Sequence, residues 1–201
     1  LTINGNGIQH PGALRTGGND TIDNVTWQGK VTLGSNSAIG AIESIDQFNM
    51  NGIIEGPFQL TIAGAGITVL SGTNTFSGGL VIDNGLTRAD NIQALGDFDN
   101  SITVKNGATL DIYGQNLQGY TQAITINGLV DESTGALINT GSDQRYALRK
   151  IALGSDASIG NDGNRFDIGR NFSGEICITG NNYSLTKVGN NLIALFGDGT
   201  D

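Results

Sequence analysis

Few side chains in this 201-residue sequence are of the types that do chemistry, and the spacing of each says what it could do. His10 is the sole histidine and is followed by Pro11. A His-based triad or a two-histidine metal site cannot be assembled from it, so it reads as a loop residue. Asp97 and Asp99 in GDFDN lie two apart, and an extended backbone would aim both carboxylates to one side, where they could hold a cation or act on a glycosidic bond. Glycan cleavage also wants a second carboxylate at ~5 to 9.5 Å, from a neighbouring turn of chain. Since Asp and Asn fill turns so readily, the preferred reading is a solvated turn between the Leu95 and Ile102 bursts. GGNDTIDN (17–24), with Asp20, matches the second half of a nonapeptide that binds calcium between stacked tandem copies. Here its counterpart TGSDQ keeps only Asp143, and NDGN, with Asp162, falls short of the EF-hand pattern. Asp20, Asp97, Asp99 and Asp162 are therefore weak calcium candidates, and no catalytic residue, cofactor site or dedicated metal site is expected. Cys177 alternates with Ile176 and Ile178 in EICIT and reads as a small strand residue with no base beside it. Trp27 reads as a capping or core aromatic.

Composition narrows the partners. With 10 Lys and Arg against 19 Asp and Glu the formal charge is −9, which disfavours nucleic acid and anionic lipid. A single Cys allows no intrachain disulfide, so backbone ladders must hold the fold. No apolar run approaches the ~20 residues that a helical membrane span needs. Gly accounts for 32 residues and Pro for 2, with 14% charged; disorder would need more charge and fewer apolar residues, and collagen a three-residue Gly period.

The elements that must position these side chains are short strands. Bursts such as FQLTI, ITVL, SITV, ATLDI and KIAL recur every ~8 to 12 residues between Gly, Asn, Asp and Ser, and no stretch sustains a helical apolar period. KVTLGSNSAIG (30–40) returns as KIALGSDASIG (150–160). The match extends to LTING at Leu1 against ITING at Ile124, Phe48 against Phe166, and Leu60, Thr61, Gly64, Leu70 and Gly72 against Leu185, Thr186, Gly189, Leu195 and Gly197. The expected organisation is one unit at 1–123 and a partial second at 124–201, continuous as one solenoid and a fragment of a longer rod. Asn51-Gly52, Asn84-Gly85, Asn106-Gly107 and Asn127-Gly128 suit either hairpins or a turn repeated on successive rungs. The duplication favours the second reading: an all-β parallel β-solenoid of about eight or nine rungs, ~40 Å long at a strand spacing of ~4.8 Å.

GAGITVLSGTNTFSGGLVIDNG (64–85) resembles the autotransporter-associated β-strand repeat, which runs Gly-x-Gly-x-Leu-Thr-Leu-Ser-Gly-x-Asn-Thr-Tyr-Ser-Gly-Gly before a strand and a Gly turn. Ile67 and Val69 replace the usual Leu pair and Phe76 the Tyr, while GNNLIALFGDGTD (189–201) lacks the Thr and Ser of the matching places. The resemblance implies a right-handed parallel β-helix in the passenger region of a large surface or secreted protein of a Gram-negative-type bacterium, commonly exported through an outer-membrane barrel. Three functions follow in order of preference: a non-enzymatic structural or adhesive rod segment, a polysaccharide-degrading β-helix using Asp97 and Asp99, and a self-associating fibre module. The corresponding partners are adjacent solenoid repeats, host or neighbouring-cell glycans or proteins, and further copies end to end.

Overall fold

A computed structural model of the chain describes residues 1–7, 12–17, 21–172 and 174–197. Among these residues there is no helix, and every strand pairing is parallel. The first turn is made by β1 (Thr2–Gly5), β2 (Leu14–Thr16) and β3 (Asn24–Trp27). β4 (Val31–Ala41) bends through two sides of the second turn, which β5 (Gln47–Met50) completes. β6 (Ile54–Glu55), β7 (Leu60–Ile62) and β8 (Ile67–Leu70) form the third. The next three turns use β9 (Leu80–Ile82) with β10 (Leu86–Ala89), β11 (Ile102–Val104) with β12 (Thr109–Asp111), and β13 (Ile124–Gly128) with β14 (Leu137–Ile138). β15 (Gln144–Leu148) and the bent β16 (Ile151–Ile159) build the seventh, and β17 (Phe166–Ile168), β18 (Ile178–Thr179) and β19 (Leu185–Lys187) the eighth. β20 (Ile193–Leu195) stacks on β17. The molecule is a three-sided parallel β-solenoid of about 8 turns, roughly 40 Å long at ~4.8 Å per turn.

The sequence forms this coil because its apolar residues fall at equivalent places on every turn. On the second face the register carries Leu60, Leu80, Ile102, Ile124 and Ile151 into one column and Ile39, Ile62, Ile82, Val104, Ile126 and Leu153 into another, all buried. The residue between them points outward: Thr61, Val81, Thr103, Thr125 and Ala152 are each only half-buried. This is the two-residue alternation of a sheet with one face in a core. A side chain removed from such a column loses its own burial and leaves its neighbours above and below without contact, a cost of about 2–5 kcal/mol for Leu→Ala.

The first face is less regular. Between its strands at β6 and β15 the chain runs as non-strand backbone, yet the turns remain bonded through Thr75 N–H to Ile54 O (2.9 Å), Asp97 N–H to Phe76 O (3.0 Å) and Leu117 N–H to Ala147 O (2.8 Å). Buried asparagines fill the gaps where a ladder bond is missing. Asn74 accepts from Ile54 N–H (2.8 Å) and donates to Ala94 O (2.6 Å), so one side chain joins three turns. Asn100 joins Gly79 to Phe76 and Leu95, and Asn139 joins Gly114 to Ser142 and Arg165. Two of the 64–85 motif's residues find their physical reason here: Asn74 is such a staple, and Phe76 fills the core beside it with no exposure.

Two fully buried carboxylates are likewise saturated. Asp111 accepts from Arg88 Nε (3.0 Å), Tyr113 N–H (2.9 Å) and both Thr140 donors, and Asp167 is held by Arg165 and Arg170. Arg88 also lies over the Tyr113 ring, and Arg170 over Phe196.

The duplicated sequence recurs as duplicated pairing, with a rotation. Thr2 opposite Thr32, Ile3 opposite Leu33 and Leu14 opposite Ile39 become Thr125 opposite Ala152, Ile126 opposite Leu153 and Leu137 opposite Ile159. However, β13 stacks on β11 and β9, which continue the face of β7, not the face of β1. From β1 to β13 the chain therefore advances five turns and one additional face.

Asn74→Ala should lower the unfolding free energy by about 2–6 kcal/mol, because two buried backbone groups each lose a partner at about 1–3 kcal/mol. Exposed Asn106→Ala should change it by less than about 0.5 kcal/mol. Urea denaturation followed by far-ultraviolet circular dichroism checks both.

Candidate functional site

The corner between the second and third faces carries the most unusual local chemistry. Asn84-Gly85, Asn106-Gly107 and Asn127-Gly128 occupy it in three successive turns, with glycine φ values of 65°, 84° and 81°. A left-handed corner of this kind suits Gly, and the preceding Asn is left presenting its amide. Asn51-Gly52 is different: it lies between the third and first faces, and Gly52 is required because a methyl group there would strike the Gly29 carbonyl of the turn below. The four dipeptides, alike in sequence, thus mark two kinds of corner.

The longest repeated stretch owes its identity to this kind of contact. A Cβ on Gly154 would collide with the Asn127 amide, and one on Gly34 with that of Asn4. Ser155 Oγ accepts the Gly128 N–H (3.0 Å), as Ser35 Oγ accepts that of Gly5 (2.9 Å). Asp156 accepts from Ser184 N–H on the next turn (2.7 Å), as Asn36 accepts from Gln59 N–H (3.1 Å). Gly-Ser-Asn in one copy and Gly-Ser-Asp in the other therefore fasten a corner to the turns on both sides.

Along the later turns this corner opens into a groove of about 740 Å³ lined by Lys105, Asn106, Asn127, Gly128, Ser155, Asp156 and Tyr183. Lys105 pairs with Asp83 at 2.5 Å on the surface, so its charge is largely offset. Asn127 donates to Val104 O (2.8 Å). The exposed Asn106 amide and the Tyr183 hydroxyl make no hydrogen bond to a described residue, and Tyr183 is 46% exposed. The groove offers an amide, an ammonium, a carboxylate oxygen and an aromatic face to a ligand. It contains no nucleophile paired with a base.

The residues singled out from sequence lie apart from it. Asp97 and Asp99 sit in a tight turn, not on extended backbone: Asp97 accepts the Asp99 N–H (3.0 Å), and Asp99 accepts the Thr121 hydroxyl of the next turn (2.6 Å). Their carboxylates serve the turn. Asp162 accepts from Asn190 N–H (2.8 Å), and Asp20 and His10 lie outside the described residues. Among the described residues no three His, Cys, Asp or Glu side chains gather as metal ligands would. Trp27 is half-buried against the core, opposite Met50 of the next turn. Cys177 points into the core, 5% exposed, and burial pushes its thiol above the usual range. Glu175 is held below the usual carboxylate range by its hydrogen-bonded pair with Arg149.

The chain is similar to part of an adhesin. In the adhesin BmaC autotransporter of Brucella suis biovar 1 (strain 1330), 113 residues are 33% identical, covering 54% of this chain and 3% of that protein. The chain thus spans a small fraction of its relative's length. No family model matches, and no solved structure does. The all-β solenoid architecture agrees with the resemblance read from residues 64–85.

Sequence reasoning did not assemble the groove, because its members come from four turns. The signals were present in the duplicated Gly-Ser-Asn/Asp and in the aromatic preceding each Leu-Thr pair, Phe58 before Leu60-Thr61 and Tyr183 before Leu185-Thr186.

Cys177 should react with a thiol reagent such as dithionitrobenzoate only as fast as the chain opens. The native protein should stay unmodified over minutes and the urea-unfolded protein be modified at once, as followed by thionitrobenzoate absorbance.

Proposed function

We propose that this chain is a non-enzymatic, adhesive β-solenoid segment of a large bacterial surface protein, acting outside the cell. The observation that carries the reading is the combination of a continuous parallel coil with the partial likeness to an autotransporter adhesin. A solenoid adds length with each turn and exposes a long lateral surface, which suits a protein that must reach away from a membrane and touch another surface. Residues 1–123 and 124–201 are proposed as one duplicated unit and part of a second, joined in a single rod. The acidic charge of −9 keeps nucleic acid and anionic lipid out of the list of partners.

A polysaccharide-degrading role has less support, since Asp97 and Asp99 are spent on their own turn and on Thr121. Self-association end to end is motivated by the open parallel coil, whose ladder can take up a further turn. It is the secondary reading.

Beads coated with the 201-residue chain should adhere to epithelial cells or to other bacteria well above beads coated with a β-solenoid of unrelated sequence, counted by microscopy. Equal binding of the two would remove the adhesive reading. Sedimentation velocity across a concentration series should show a monomer if lateral contact dominates, and chain-length species if stacking does.

A further inference from the structure

We infer that the groove at the second corner is a binding site for an uncharged oligosaccharide. This rests on the adhesive reading and names its ligand class. Four observations carry it. Tyr183 lines the groove and is exposed, and an accessible aromatic ring is a surface against which the C–H side of a pyranose ring packs. Asn106 has both its amide donors and its carbonyl free, Lys105 beside it has donors left after pairing with Asp83, and Asp156, two turns further along the groove, has one oxygen left after Ser184. Donors and acceptors spread along successive turns suit the hydroxyls of consecutive sugar units, each of which donates and accepts at once. The volume of about 740 Å³ falls within the range of about 300–1,000 Å³ typical of small-ligand sites.

The electrostatics select against charged sugars. Asp156 stands in the groove, Asp83 neutralises Lys105, and the whole chain is acidic, so sulfated or sialylated chains would meet repulsion on approach.

The fourth observation is internal. Asn127, Ser155, Asp156 and Tyr183 have counterparts in Asn4, Ser35, Asn36 and Phe58, one face earlier around the rod. Asn, Ser and Asn/Asp are explained by the corner bonds already described. The aromatic is not, because Tyr183 is exposed whereas Phe58 packs against the core. The later copy thus exposes an aromatic that the earlier copy half-buries against the core, and it does so on a groove that Lys105 and Asn106, three turns below, extend.

The test titrates the isotope-labelled 201-residue chain with chitotriose, cellotriose and lactose, with a heparin tetrasaccharide as the charged control, and follows backbone amides by nuclear magnetic resonance. The expected result is saturable shifts at Asn106, Gly128, Ser155 and Tyr183 with at least one neutral sugar and none with heparin. Tyr183→Ala and Asn106→Ala should each weaken binding by at least about ten-fold with an unchanged melting curve. Asp156→Asn, which introduces the residue of the first copy and keeps an acceptor for Ser184 N–H, should fold normally and bind less tightly. Absence of shifts with every neutral sugar, preference for heparin, or undiminished binding by both Tyr183→Ala and Asn106→Ala would each overturn the inference. If the coated beads still adhere while the sugars fail, only the ligand class falls; if neither binds, the adhesive reading falls with it.

Discussion

Everything in this molecule depends on a backbone requirement: each N–H on one turn must find a carbonyl on the turn beside it, at the ~4.8 Å spacing of a parallel ladder. Once that spacing is imposed, side chains at equivalent positions stack whether or not they attract one another. Aliphatic residues gain by it, which is why the columns through Ile62 and Leu80 run uninterrupted. Carboxylates would lose by it, and those that are buried come with donors fixed around them: arginines for Asp111 and Asp167, and the Asp23 and Glu43 N–H groups for Asp46. Where the strand geometry lapses, Asn74, Asn100 and Asn139 supply the missing bonds with amides shaped like the peptide groups they replace.

Much of this was legible in the sequence for a physical reason. A solenoid repeats its environment, so the same residue types are demanded again a fixed number of turns later, and KVTLGSNSAIG against KIALGSDASIG shows the demand directly. Alternation in FQLTI and SITV gave the inward residues, because strand side chains have a period of two. The corner glycines were legible as turns but not as kinds of turn. Gly107 is needed for its positive φ alone and Gly52 for the absence of a side chain under a neighbouring carbonyl, and the dipeptide Asn-Gly looks the same in both.

What was not legible depends on the phase between turns. Asp97 and Asp99 point to one side only if the chain there is extended, and a pair two apart does not reveal that the segment has folded into a turn. Loop lengths vary, so Lys105, Asn127, Asp156 and Tyr183 can be placed side by side only when the register of each turn on the next is known. The site is a property of the winding, while the fold is a property of the pattern.

The additional face gained between β1 and β13 has a geometric outcome of its own. A unit that closed on a whole number of turns would line up every copy of a surface feature along a single stripe, and a flat opposing surface could meet them all. With a third of a circle added per unit, equivalent features wind about the axis like steps on a spiral stair, and a fourth copy is needed before one stands above the first. A rod that repeated this unit would have no preferred front, and whichever way it lay, some copy would look outward.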